Sequence, residues 1–276
     1  MTPPTTTAVD AAPGRDFAIG AAVARVNDRA LPAAGRAASA HTVDLAAKRA
    51  LDITVSVVLL LLCLPLFLVI AVLIKLDSRG PLFFGCRRVG RDGRDLLMLK
   101  FRKMRDGADG PALTLSQDER FTRIGPFLAA TKLDELPQLL NVLRGDMSLV
   151  GPRPEDATFV DLRRDEYAAI LRVKPGMTGL TQLAFANERD ILDRDDAISH
   201  YVEQLLPQKI DIDKLYASSR TIGMDARILV WTAVAVVLRR EVAVHRDSAR
   251  ITLRRRPTAR RAIPAAALAV ADRRER

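Results

Sequence analysis

From Ile53 to Ile74 the chain runs through about 22 residues without a charge, "ITVSVVLLLLCLPLFLVIAVLI". At about 1.5 Å per residue a helix of this length is about 33 Å long, enough to cross the hydrocarbon of a bilayer. Pro65 lies close to the middle, where it removes a helical hydrogen bond and crowds the preceding turn, so the residues predict a helix-break-helix over 43–77. Lys48 and Arg49 precede the run, and Lys75, Arg79, Arg87 and Arg88 follow it. Positive charge at both ends makes neither end suited to export, which favours a re-entrant hairpin over a single-spanning helix. A buried helix of a soluble protein is the weakest of the three readings.

The remainder reads as two tails and one domain. Residues 1–42, rich in Ala, Pro and Thr with no apolar period, predict a disordered tail, and no apolar h-region of a cleaved signal follows the start. Residues 78–245 predict a small α-rich α/β domain: Gly80, Gly85, Gly90 and Gly93 punctuate strand-like "PLFF" and "LLMLKF". Leu136, Leu139, Leu140 and Leu143 then mark one helix face, ended by Gly145. "DATFVDLRRDEYAAILRV" reads as a second helical stretch, and "KPGMTGLTQL" as turns leading into an extended segment. "ARILVWTAVAVVLRREV" predicts an amphipathic helix on the membrane interface, and 246–276 a basic Arg/Ala-rich tail in solvent or at headgroups.

A net charge of +10 predicts an anionic partner, either nucleic acid, a membrane surface or a phosphorylated substrate. With three tyrosines, one tryptophan and no recognisable finger or RNA-binding motif, nucleic acid leaves the apolar run unexplained and is set aside. Two cysteines, Cys63 and Cys86, offer neither a disulfide framework nor a CxxC site and fit a reducing, cytosol-facing compartment. His41, His200 and His245 lack the close spacing of metal ligands.

One segment breaks the basic trend. In "TKLDELPQLLNVLRGDMSLVGPRP" two acids, Asp134 and Glu135, stand directly before Pro137, a residue suited to the first turn of a helix. The acids are therefore expected at the positive end of that helix, where carboxylates and phosphates are both favoured. Lys100, Arg102, Lys103, Arg105, Arg120, Arg123, Lys132, Arg144 and Arg153 crowd the same region of sequence, and Arg153 is restrained between Pro152 and Pro154. Arginine forks suit phosphate oxygens. Together with the acid pair they point to a site for a diphosphate and a divalent cation, with a carboxylate as Mg²⁺ ligand or nucleophile.

The segments "RRVGRDGRDLLMLKFRKM", "DERFTRIGPFLAATKLDELPQLLNVLRGDMSLVGPRP" and "VKPGMTGLTQL" resemble, in order and spacing, the motifs of bacterial sugar transferases. These are the monotopic polyprenyl-phosphate phosphoglycosyl transferases, and the likeness extends from Lys48 to about Val237. It implies an enzyme that moves a sugar-1-phosphate from a UDP-sugar to a polyprenyl (undecaprenyl) phosphate, releases UMP and starts exopolysaccharide or related glycan synthesis. By resemblance Asp134 is the nucleophile that becomes a covalent phosphosugar-aspartyl group. Glu135 is then metal ligand or base, both acids are candidate Mg²⁺ ligands, and Arg88, Lys100, Arg102, Arg120, Arg123 and Arg153 are candidate phosphate-binding residues.

The resemblance further implies a bacterial inner membrane location with the catalytic domain facing the cytoplasm, membrane lipids as neighbours and no nucleic-acid partner; it leaves homo-oligomerisation and the sugar open. The chain departs from the family pattern at Leu64-Pro65, where a Ser-Pro pair is usual and Pro65 alone must make the bend. It departs again at Cys86, at Ala129 and at Lys132. Without the additional N-terminal helices of longer relatives, it resembles the short form. A non-catalytic membrane scaffold for glycan assembly is the alternative reading, against which the intact acid pair argues.

Overall fold

Leu45–Asp77 forms one helix, α1, that continues through Pro65. The computed structural model describes residues 45–108, 118–186, 197–245 and 248–254, so the expected N-terminal tail and most of the C-terminal one lie outside the described residues. Helical structure is unbroken at Leu64-Pro65, where the sequence places the bend: a proline inside a helix costs one hydrogen bond, and the turns on either side carry the helix past it. Of its apolar window only 11% is buried, and Leu61, Leu62, Leu64, Leu66, Leu68 and Val69 around the proline are exposed.

The two ends of α1 are different. Lys48, Asp52 and Ser56, four residues apart, form a buried polar stripe against the domain. Lys48 Nζ donates to the Val150 carbonyl at 3.1 Å and to Asp225 at 2.5 Å. Asp52 accepts from the Ser148 hydroxyl and the Leu149 amide, both at 3.0 Å. Near the other end Ile70 and Ile74 pack with Phe101 and Leu128, and Asp77 accepts from the Ile124 amide at 3.2 Å. Thus Lys48 and Arg49, which the sequence assigns to a positively charged membrane flank, are turned into the domain instead, and both ends of the apolar helix are fastened to the same folded body.

The domain begins with an antiparallel hairpin, β1 (Phe83–Val89) and β2 (Asp95–Phe101), whose register pairs Phe84 with Lys100 and Arg88 with Leu96. Two helices follow, α2 (Gly125–Thr131) and α3 (Gln138–Arg144), joined by a 3₁₀ turn at Leu133–Glu135. A parallel pair, β3 (Ser148–Val150) and β4 (Gly176–Thr178), is connected through α4 (Ala157–Leu162) and α5 (Arg164–Ile170). Next come α6 (Leu180–Ala184), α7 (Ala197–His200), a π-helical turn at Tyr201–Leu205, α8 (Leu206–Ser219) and α9 (Ile222–Val237). The segment "LTQL", expected to be extended, is helical; only Gly176–Thr178 ahead of it forms a strand.

Two further strands, β5 (Val242–Val244) and β6 (Ile251–Leu253), pair antiparallel. Ile251 is buried with Val242 in the central core, so residues expected to begin a solvated tail belong to the fold. Isoleucine and leucine alternating with threonine suit a pleated, half-buried surface, and that preference outweighs the surrounding arginines.

α3 faces inward differently from its leucine pattern. Leu139 and Val142 are fully buried beside the polar Gln138 and Asn141, whereas Leu136, Leu140 and Leu143 are half-buried. Asn141 explains the rotation: its side chain accepts from the Leu99 amide at 2.9 Å and donates to the Leu97 carbonyl at 2.8 Å, fastening α3 to the open edge of β2. Gly145, at φ 93°, ends the helix in the left-handed region, as its type predicts.

Candidate active site

Asp134 and Glu135 lie on the 3₁₀ turn ahead of α3, whose regular turns begin only at Gln138. They stand directly ahead of the N-terminal end of α3, and lysine and arginine side chains supply counter-charge there. Asp134 is 1% exposed and accepts from Lys103 Nζ at 2.8 Å. Glu135 Oε1 lies 3.2 Å from Lys100 Nζ and 4.0 Å from Arg153 Nη2. The arrangement follows from local structure. Lys100 stands near the end of β2 and Lys103 three residues on, while Asn141 fixes β2 against α3 and so fixes the lysines against the acids.

The electrostatics are those of anions in a cationic setting. Burial would raise the Glu135 carboxyl, but Lys100, Arg153, Lys132 and Lys103 together lower it from 4.5 to about 2. Burial pulls the Lys103 ammonium below its ordinary value even with Asp134 beside it. Lys132, immediately before the turn, occupies the left-handed region at φ 60°, an unusual place for a lysine. The residue type noted in the sequence as a departure thus carries both a charge near Glu135 and a strained backbone.

The loop after β3 forms the opposite wall. Its backbone packs against the turn that leads into β4: a Cβ added to Gly151 or Gly176 would meet main-chain atoms at 2.5 Å and 2.1 Å, which only glycine permits. Gly176 donates to the Pro152 carbonyl at 2.8 Å. From this loop Arg153 reaches toward Glu135, Glu155 turns inward, and Asp156 accepts from Arg88 at 2.5 Å. Glu155 Oε2 accepts from Tyr201 at 2.6 Å and from Lys209 at 3.2 Å. Burial opposes ionisation of Glu155, yet Lys209, Arg88, the Tyr201 hydroxyl and Arg153 hold its carboxyl at about 2. Asp213, pushed up to about 7 by burial, accepts from the Thr181 hydroxyl and the Arg153 amide.

The six basic residues singled out in the sequence separate into groups. Lys100 and Arg153 lie beside Glu135, and Arg88 is joined to the same wall through Asp156. Arg102 is not in the site: it is buried and its guanidinium donates to the Ser78 and Arg79 carbonyls, closing the chain where α1 ends. Arg120 is held by Asp118 at 2.5 Å, and Arg123 is exposed. Arg102 stands one residue past the end of β2, so the strand's alternation, which would put it on the same face as Lys100, no longer governs it. Glu155, Tyr201, Lys209 and Asp213 were not singled out. The charged residues of "EDATF" and "PQKIDIDKLY" look solvated in isolation, and only the apolar positions around them, Leu206, Ile210 and Ile212, signal a buried helix.

Comparison with known proteins places this chain in a family. The model for "Bacterial sugar transferase" matches residues 43–239, and the chain belongs to that family of enzymes. It is 40% identical over 195 residues to a UDP-glucose:undecaprenyl-phosphate glucose-1-phosphate transferase of Caulobacter vibrioides, covering 69% of each chain. It is 39% identical over 205 residues to the exopolysaccharide production protein PSS of Rhizobium leguminosarum bv. phaseoli, covering 71% of this chain and 98% of that one. A UDP-N-acetylgalactosamine-undecaprenyl-phosphate N-acetylgalactosaminephosphotransferase of Aeromonas hydrophila is 39% identical over 189 residues, and there the match spans 65% of this chain but 45% of the relative.

Proposed function

We propose that the chain transfers a sugar-1-phosphate from a UDP-sugar to a polyprenyl phosphate with release of UMP, as the opening step of exopolysaccharide or related glycan synthesis. One observation carries the reading: two adjacent acids share a turn, each is paired to its own lysine, and an arginine lies 4.0 Å from the second. Such a site accepts an anionic diphosphate while presenting a carboxylate oxygen to it. The names of the relatives, which carry both undecaprenyl phosphate and nucleotide sugars, support the substrate classes.

An Asp134 oxygen attacks the phosphorus that bears the sugar. The new P–O bond forms as the bridging P–O bond to UMP breaks, and UMP departs with the electron pair. A polyprenyl phosphate oxygen then attacks the same phosphorus and restores the Asp134 carboxylate. Two steps let a water-soluble donor and a lipid acceptor use one site in turn. Lys103 orients Asp134 between the steps, Glu135 assists as metal ligand or base, and Lys100 and Arg153 face the phosphate oxygens. Hard carboxylate oxygens on neighbouring residues, completed by substrate phosphates, fit Mg²⁺ by donor chemistry, although no cluster of three or more ligating side chains occurs among the described residues. Asp134 and Glu135 would hold it, and the bound ion would neutralise diphosphate charge.

The site operates at the lipid boundary. With α1 fastened to the domain at both ends and its middle exposed and apolar, we read it as dipping into the lipid from the domain's own side, taken as the cytoplasmic one. Val230 midway along α9, Val236 and Val237 at its end and Leu238 just after it are exposed and followed by Arg239 and Arg240, a composition suited to the interface. The deciding experiment incubates the full chain in detergent with Mg²⁺ and a panel of UDP-sugars, without acceptor. Intact mass is expected to gain one sugar phosphate with the true donor, and Asp134→Asn to abolish the gain. Turnover that needs both substrates together and leaves no adduct would overturn the two-step account, and unchanged glycan production in cells carrying Asp134→Asn would favour a scaffold.

A further inference from the structure

Beneath the loop that presents Arg153 lies a polar cluster that the transfer chemistry leaves unused. Lys209 is 3% exposed and Tyr201 is 1% exposed, deep in a helix whose neighbours are apolar. Lys209 Nζ donates to Glu155 at 3.2 Å and to the Tyr201 hydroxyl at 2.7 Å, and sits 4.6 Å from the centre of the Tyr201 ring. One turn further along α8, Asp213 accepts from the main-chain amide of Arg153 and from Thr181. Tyr201 opens the π-helical turn, and single π turns inside helices recur where a side chain must be re-aimed.

A buried ion pair is a poor way to gain stability, since apolar side chains of the same volume serve as well or better. Its placement is therefore informative. Every member of the cluster bonds to Arg153, to Glu155, or to a residue that does. Arg153 itself is restrained in its backbone by a proline on each side and by Asp213 at its amide, and from that backbone its guanidinium comes within 4.0 Å of Glu135. We propose that Tyr201, Lys209 and Asp213 are positioning residues: a buried footing that holds the Pro152–Glu155 loop and thereby aims the Arg153 guanidinium at the diphosphate of the donor. This rests on the transferase reading above for the identity of the ligand, but the geometry alone requires only a pyrophosphate-like anion.

The test compares Lys209→Met, Tyr201→Phe, Arg153→Ala and the Lys209→Met/Arg153→Ala pair in the full chain in detergent. Two quantities are read: the donor KM against kcat from UMP release, and the thermal stabilisation given by inorganic pyrophosphate, which needs no turnover. Arg153→Ala and Lys209→Met are each expected to raise donor KM by roughly tenfold, and the pair to be no worse than Arg153→Ala alone, because residues acting through one group do not add. Tyr201→Phe keeps the ring, loses the hydroxyl and is expected to raise KM about threefold. Pyrophosphate stabilisation should weaken in the same order. A Lys209→Met donor KM within about twofold of wild type, or losses that multiply in the pair, would overturn the proposal. If Lys209→Met does not fold, Tyr201→Phe with and without Arg153→Ala decides by the same criterion. Absence of turnover with every UDP-sugar sinks the transferase reading alone, since the pyrophosphate cycle still decides the footing; wild-type protein that ignores pyrophosphate sinks the footing.

Discussion

Replacing Lys100 by methionine removes the cation nearest Glu135 while keeping most of the aliphatic stem. The two groups stand 3.2 Å apart with side chains 13% and 15% exposed. Coulomb attraction at that distance is about 5 kcal/mol at an effective dielectric of about 20 and about 1.3 kcal/mol in bulk water. The variant also escapes the cost of burying the ammonium, so a net loss of about 2 kcal/mol is expected, equivalent to about 1.5 pKa units at Glu135. The Glu135 carboxyl is held at about 2 in the folded protein against an ordinary 4.5. With the folded value below the unfolded one, its contribution to stability is complete above pH 4.5 and disappears as the pH falls from there toward 2. Thermal unfolding in detergent is expected to show Lys100→Met melting about 4–8 °C below wild type at pH 7. The gap should narrow as the pH drops through that window and nearly close in a Glu135→Gln background. A gap that stays constant down to pH 3, or that survives in Glu135→Gln, would refute the assignment of this lysine to this carboxylate.

Three other substitutions read different parts of the structure. Lys48→Met leaves Asp225 buried without its cation and is expected to cost about 3 kcal/mol or more by thermal melting. Arg102→Ala frees the Ser78 and Arg79 carbonyls and should lower stability by about 2 kcal/mol while leaving the donor KM of the folded fraction unchanged, unlike a phosphate contact. Lys132→Gly relieves a left-handed backbone and should raise stability by about 1 kcal/mol, a gain that Lys132→Ala does not give.

The sequence disclosed most where chemistry depends on few residues in a short span. The apolar helix, the strand over "LLMLKF", the stop at Gly145 and the adjacency of Asp134, Glu135 and Pro137 are local facts, and each appears where its residues place it. The periodicity of α3 misled because Asn141 satisfies the edge of β2, a long-range bond that turns the helix away from its leucine stripe. Arg102 and Arg153 could not be told apart by residue type; one serves carbonyls at the exit of α1, the other faces Glu135, and only the path of the chain between them separates the roles. The footing under Arg153 joins positions 46 and 54 residues apart, beyond the reach of any spacing rule.

The bond between Lys48 and Asp225 spans 177 residues. A ribosome therefore delivers the greasy segment long before its acidic mate exists, and Arg49 must wait for the Val142 and Leu143 carbonyls in the same way. The contacts that seat α1 therefore become available in order along the chain, first at Ile124, then at residues 142–150 and last at Asp225. The apolar helix is thus the first part of the fold to be made and the last to gain all of its partners.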